Sequence, residues 1–173
     1  MIENRKAYRL PFRGKFVFGS SDRVSTGSAV NVSAGGIFVT TFDILPRDTE
    51  CRCVFLLDAE EDPIAIDALV KRVVAPSTDP EAVPGMGFSF KDPEAPGARR
   101  VLEFMVDSRR NFEVMATILS TGEPDLVSLK PLVTKLHVAP FSDLGELRQY
   151  VERILRAVEL VDRRASQPPG ASL

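Results

Sequence analysis

The 173-residue sequence is short of the side chains that most protein chemistry needs. It holds one histidine, His137, and two cysteines, Cys51 and Cys53. A structural zinc site wants four ligands, and His137 lies far along the chain from the cysteine pair, so no metal site is expected. Cysteines at i and i+2 in a strand share a face and read as small core hydrophobes. No nucleophile–base pair, no His-x-x-x-His and no carboxylate-dyad spacing is present, so the expectation is a protein that is not an enzyme. No run of about 18 apolar residues exists, which predicts no membrane span. Residues 1–6, Met-Ile-Glu-Asn-Arg-Lys, lack the apolar core of a signal peptide, and the cytoplasm is the expected location. A formal charge of −2 and a pI near 5.5 argue against a broad DNA- or RNA-binding surface. They leave room for a small basic pocket.

What the chain does have is alternation. It is 44% hydrophobic and 27% charged, enough for one filled domain or a small domain with an appendage. Period-2 patterns predict six strands, at 15–19, 24–32, 36–41, 50–57, 64–75 and 85–90. Phe16 and Phe18 share a face of the first, and Phe38 is the expected core residue of the third. Cys51, Cys53, Phe55 and Leu57 line one side of the fourth. In the fifth, Ile64, Ile66, Ala68, Val70 and Val74 face one way, Asp67 and Lys71 the other. Met86, Phe88 and Phe90 align in the sixth. The acidic stretch 58–63 reads as a solvated turn. Six short strands with turns between them predict a small antiparallel barrel.

From Pro96 the period lengthens. Val101, Met105, Ser108, Phe112, Met115 and Leu119 are spaced for an amphipathic helix, stopped by Thr121-Gly122-Glu123-Pro124. The stretch 125–140, holding Pro131, His137 and Pro140, is ambiguous, with a short helix or strand near 132–138. Ser142 or Asp143 can cap a final helix, and Glu146 is placed to complete a capping box from Asp143. Leu144, Leu147, Val151, Ile154, Val158 and Val161 then form a heptad seam. The helices either pack as ordinary core or dock a protein partner or a second copy of the chain. The expected organisation is a barrel with an N-terminal arm at 1–95, a helical extension at 96–164 and a disordered tail at 165–173.

Two short motifs bracket the first strands. Arg5-Lys6-Ala7-Tyr8-Arg9 has the spacing Arg-x-x-x-Arg, and Asn31-Val32-Ser33-Ala34-Gly35-Gly36 has the spacing Asn-x-Ser-x-x-Gly. Each alone is common: the first as a solvated basic face, the second as a turn whose side chains bond the backbone. In order, with 22 positions from Arg9 to Asn31 (31 − 9), they resemble the two signature motifs of the PilZ domain family. Gly85-Met86-Gly87-Phe88 also resembles the last strand of that family's six-stranded barrel. The resemblance covers residues 4–95 and does not reach the helices.

The resemblance implies a receptor for cyclic di-GMP, as ligand rather than cofactor, with Arg5, Arg9, Asn31, Ser33, Gly35 and Gly36 as site residues. The chemistry fits. A guanidinium fork matches guanine O6 and N7 and also neutralises phosphates or stacks on purines. Asn31 offers a carbonyl to the donor edge of guanine, more weakly than the aspartate the family also allows. Ser33, two residues on in an extended segment, shares its face. Gly35 and Gly36 permit positive φ or close approach of a ligand to the backbone. Leu10-Pro11 ends any helix, which leaves the arginines on an extended arm that orders over the ligand. Binding would then be read by a protein partner through the helical extension, in motility, pilus or biofilm control. The alternative is a ligand-independent interaction module. Asn4 stands where some members carry an extra basic residue, so one or two bound ligands are both open.

Overall fold

A computed structural model describes residues 7–21, 23–58, 61–78, 82–138 and 140–165. Six strands, β1 (Leu10–Gly19), β2 (Val24–Ser33), β3 (Gly36–Thr40), β4 (Glu50–Phe55), β5 (Ile64–Val74) and β6 (Gly85–Phe90), precede three helices. These are α1 (Pro96–Leu119), α2 (Leu126–Lys135) and α3 (Leu144–Ala165). The strands close into an antiparallel barrel in the order β1-β2-β3-β6-β5-β4, the fold class expected from the alternation. The chain divides into two compact units. One runs from Pro11 to Met105, and the other joins residues up to Leu10 with 106 onward.

In the barrel unit, alternation buries one side of each strand. Phe16 sits at the centre of an aromatic cluster, its ring centroid 5.4 Å from Phe55 and 5.2 Å from Phe88, with Phe18 5.5 Å from Phe88. Cys51, Cys53, Ile64, Ile66, Ala68, Val70 and Met86 complete the interior. β1 starts five residues earlier than its expected start at 15. Leu10 and Phe12 are fully buried and continue the even-numbered face of Phe16 and Phe18, so the pattern extends straight through Pro11.

Two strands carry bulges. The β2–β3 register pairs Ala29 with Val39 and then Asn31 with Phe38, leaving Val30 as the extra residue. The β5–β6 register pairs Val70 with Phe88 and then Arg72 with Gly87, leaving Lys71. A bulge resets which side the following residues face. Two expectations are corrected, the first by the regular alternation of β3 from Val39 and the second by the bulge in β5. In β3, Ile37 and Val39 are the buried residues, while Phe38 is half-buried on the outer face. In β5, Val73 lies across from core Met86 and Val74 across from Gly85, so the inward position passes from Val74 to Val73.

In the other unit, Ser108, Phe112, Met115 and Leu119 of α1 are buried along the expected stripe. The ambiguous stretch contains α2, which begins earlier than residue 132. Asp125 caps it by accepting from the Val127 N–H (3.0 Å) and from the Ser128 hydroxyl (2.5 Å), and Pro131 lies inside it. α2 ends in a Schellman arrangement: His137 N–H donates to the Thr134 carbonyl and Val138 N–H to that of Val133, both at 3.1 Å. His137 therefore occupies the left-handed position, φ 52°, that ends a helix by satisfying its last carbonyls. Asp143 caps α3 through Glu146 N–H (2.9 Å), and the Glu146 carboxylate reaches back to Ser142 N–H (3.1 Å). Leu147, Val151 and Val158 of the heptad seam are buried, whereas Leu144 and Leu160 are exposed.

Candidate functional site

The β2–β3 hairpin carries four of the expected site residues. Ser33 pairs with Gly36 in the ladder, so only Ala34 and Gly35 form the loop. The Ser33 hydroxyl donates to the Gly36 carbonyl across that loop at 3.2 Å. It fastens the turn and keeps lone pairs for a donor.

The bulge at Val30 decides the site's geometry. Ala29 and Val32 both face the core, three positions apart where an unbroken strand would need two or four. Regular pairing in phase with Ala29 would send Asn31 and Ser33 inward. With Val30 looped out, both turn to the outer face while Val32 fills the interior. They share a face, as the spacing implies, because the bulge comes before both.

Asn31 Oδ1 is buried and has no hydrogen-bond partner among the described residues. A carbonyl shielded from water without a donor costs free energy on the order of 1–3 kcal/mol. A buried polar group in this state calls for an explanation, and the donor can be a water, an ion-bound water or a ligand. An N–H from a ligand would satisfy it.

The two glycines differ in role. A Cβ built on Gly36 would fall on the Phe88 carbonyl oxygen, so this glycine is required by the approach of β6 and not by a ligand. A Cβ on Gly35 would meet nothing within 4 Å. Open space lies above the loop.

Arg9 directly precedes β1, is half-exposed and belongs to the other compact unit. Arg5 lies outside the described residues. Between them sits Tyr8, which the motif reading passed over. Its phenol is hydrogen-bonded to Arg109 of α1; burial holds it above the ordinary phenol range, and the guanidinium works in the opposite direction. Arg109 also donates to Glu113 at 3.1 Å and to Asp162 of α3 at 2.8 Å. Those two bonds hold its pKa above the usual arginine value. One cation thus joins the arm, α1 and α3 within a single compact unit. The sequence signal was Tyr8 itself, an aromatic inside a basic motif.

Two clefts, of about 280 and 370 Å³, flank the Arg52–Asp67 ion pair (2.9 Å) on the barrel. Carboxylates line both, and Asn31 lines neither. Among the described residues, no helix is long and apolar enough to cross a membrane, and no group of three or more His, Cys, Asp or Glu could hold a metal ion.

The family model of the PilZ domain matches residues 3–108. Among solved structures, the chain is similar to the Bacillus subtilis inhibitor of motility MotI/DgrA (21% identity, TM-score 0.52, 64% of this chain and 53% of that one). It is similar to MrkH of K. pneumonia in complex with cyclic di-GMP (22% identity, TM-score 0.52, 62% and 53%). It also resembles the PilZ domain of Escherichia coli YcgR with cyclic di-GMP (12% identity, TM-score 0.51, 66% and 98%). The chain spans about half the length of the first two. No curated protein matches.

Proposed function

Because the chain belongs to the PilZ domain family, we propose that it is a non-enzymatic receptor for cyclic di-GMP. Asn31 and Ser33 meet the ligand on the outer face of the barrel. Gly35 gives it room, and Gly36 holds the strand geometry beneath. Arg5 and Arg9 close over it from the arm, pairing with guanine or phosphate. The observation that carries this reading is Asn31 Oδ1, a buried acceptor with no donor among the described residues, on the face to which the Val30 bulge turns it. Cyclic di-GMP in the solved MrkH and YcgR complexes supports the choice of ligand.

Energetics are compatible with a signalling receptor. Two bidentate arginine contacts supply roughly 2–6 kcal/mol, and ordering each arm residue costs about 1–2 kcal/mol. The ordering cost offsets much of the contact energy and keeps the affinity well short of the picomolar range. Ordering of the arm passes to the helices through Tyr8 and Arg109, whose bond to Asp162 reaches α3. α3 in turn carries exposed Leu160, where a protein partner or a second copy would read the change. The process served is motility, pilus or biofilm control, in the cytoplasm.

Titration calorimetry with cyclic di-GMP on the wild type, Arg5→Ala and Arg9→Ala tests the reading. Each variant should bind at least tenfold more weakly. Equal affinity in all three proteins would remove the arm from the site. No heat and no thermal shift in the wild type would favour the ligand-independent interaction module.

A further inference from the structure

The registers that place Asn31 continue across the barrel. Asn31 lies opposite Phe38, Phe38 opposite Gly87, and Gly87 opposite Arg72. One lateral row on the outer face therefore reads Asn31, Phe38, Gly87, Arg72 over β2, β3, β6 and β5. The two bulges stand at its ends. The one at Val30 turns Asn31 outward, and the one at Lys71 does the same for Arg72. Without the second, Arg72 would share the inward phase of Val70.

The row has a floor and two flat groups. Phe38 lies over β6 where the strand has no side chains: its ring atoms are 3.1 Å and 3.8 Å from where a Cβ would stand on Gly85 and Gly87. The Arg72 guanidinium carbon sits 5.9 Å from the Phe38 ring centroid, in cation–π range. Arg72 is exposed. An exposed guanidinium in cation–π range of an aromatic ring offers a flat surface on which a purine can stack.

We infer that Arg72 and Phe38 form a purine-stacking platform that extends the Asn31 site across the barrel, an inference that rests on the receptor reading above. Three inter-strand spacings, about 14 Å along the curved wall of the barrel, separate the Asn31 and Arg72 backbones. The two side chains therefore do not grip one base edge. They suit the two ends of a ligand that carries two purines, Asn31 reading the donor edge of one base and Arg72 covering the face of the other.

The test is calorimetry with cyclic di-GMP on the wild type, Arg72→Ala, Arg72→Lys, Phe38→Leu and Asn31→Ala, with melting curves for each. Arg72→Ala should bind about five- to tenfold more weakly with an unchanged melting temperature, because the side chain is exposed. Arg72→Lys should recover little, since lysine keeps the charge and loses the plane. Full recovery by Arg72→Lys overturns the platform in favour of a simple charge contact. Affinity of Arg72→Ala within twofold of wild type, alongside a loss in Asn31→Ala, overturns the platform and leaves the receptor reading standing. Failure of the wild type to bind overturns both.

Discussion

Asn31 stands directly across the β2–β3 ladder from Phe38, and it shares the outward face of Phe38 because β2 gains one residue at Val30. An amide that regular pairing would have buried in the core is presented on the barrel wall, with its oxygen still lacking a donor. Replacing Asn31 by Ala should therefore leave the melting temperature unchanged or raise it, since it removes an unsatisfied polar group. The same change should weaken cyclic di-GMP binding about tenfold. A structural amide would behave in the opposite way, losing stability without affecting the ligand.

The glycines of the turn separate fold from site. Gly36→Ala places a methyl on the Phe88 carbonyl and should destabilise the barrel by about 2 kcal/mol or more in urea unfolding. Gly35→Ala meets nothing and should fold like wild type, so a change in its ligand affinity reports on the space above the loop. Equal stability of the two variants would contradict the assigned roles.

Tyr8→Phe removes the hydroxyl bonded to Arg109 and should cost about 0.5–1.5 kcal/mol. Ligand affinity should change little, because the arginines remain. Hydrogen exchange supplies the second readout: protection of α3 by cyclic di-GMP should be present in wild type and diminished in Tyr8→Phe. Identical protection in both would show that the arm does not signal through Arg109.

Burial raises the pKa of both Cys51 and Cys53, and that of Cys53 also rises through the neighbouring Cys51 and Asp67. As pH rises the unfolded chain sheds its thiol protons first, while the folded barrel keeps them. The stability these thiols contribute is full below the ordinary thiol range, about pH 8.5, and falls as pH climbs through it. Denaturant midpoints measured from pH 7 to pH 10 should fall, and a Cys51→Ala, Cys53→Val variant should flatten that fall. In the folded protein at pH 8, Cys53 should resist alkylation.

Strand number and the two large helices were legible because burial repeats at fixed periods: Phe16 and Phe18 in β1, Cys51, Cys53 and Phe55 in β4, Val101 to Leu119 in α1. Phase was harder. In Gly36-Ile37-Phe38-Val39-Thr40 alternation allows either face to be inward, and ring size favoured Phe38. Val39, paired with buried Ala29 ahead of the bulge, takes the inward place and leaves Phe38 outside. A trace of each bulge does exist in the sequence, as the three-residue gaps Ala29 to Val32 and Val70 to Val73. Pro11 and Pro131 hid the start of β1 and the body of α2, since a proline reads as a boundary even where burial on both sides continues the element. The motif reading located Asn31, Ser33, Gly35 and Gly36 on one hairpin, but not the Tyr8–Arg109 bond, which joins residues a hundred positions apart by tertiary packing alone.

A crystal structure of the protein grown with cyclic di-GMP tests the central claim most directly. The expected result is a guanine donating N–H to Asn31 Oδ1 over the Ser33–Gly36 turn, with Arg5 and Arg9 drawn onto the same ligand. Density for the dinucleotide on another part of the surface, with the Asn31 carbonyl still lacking a donor, would contradict it.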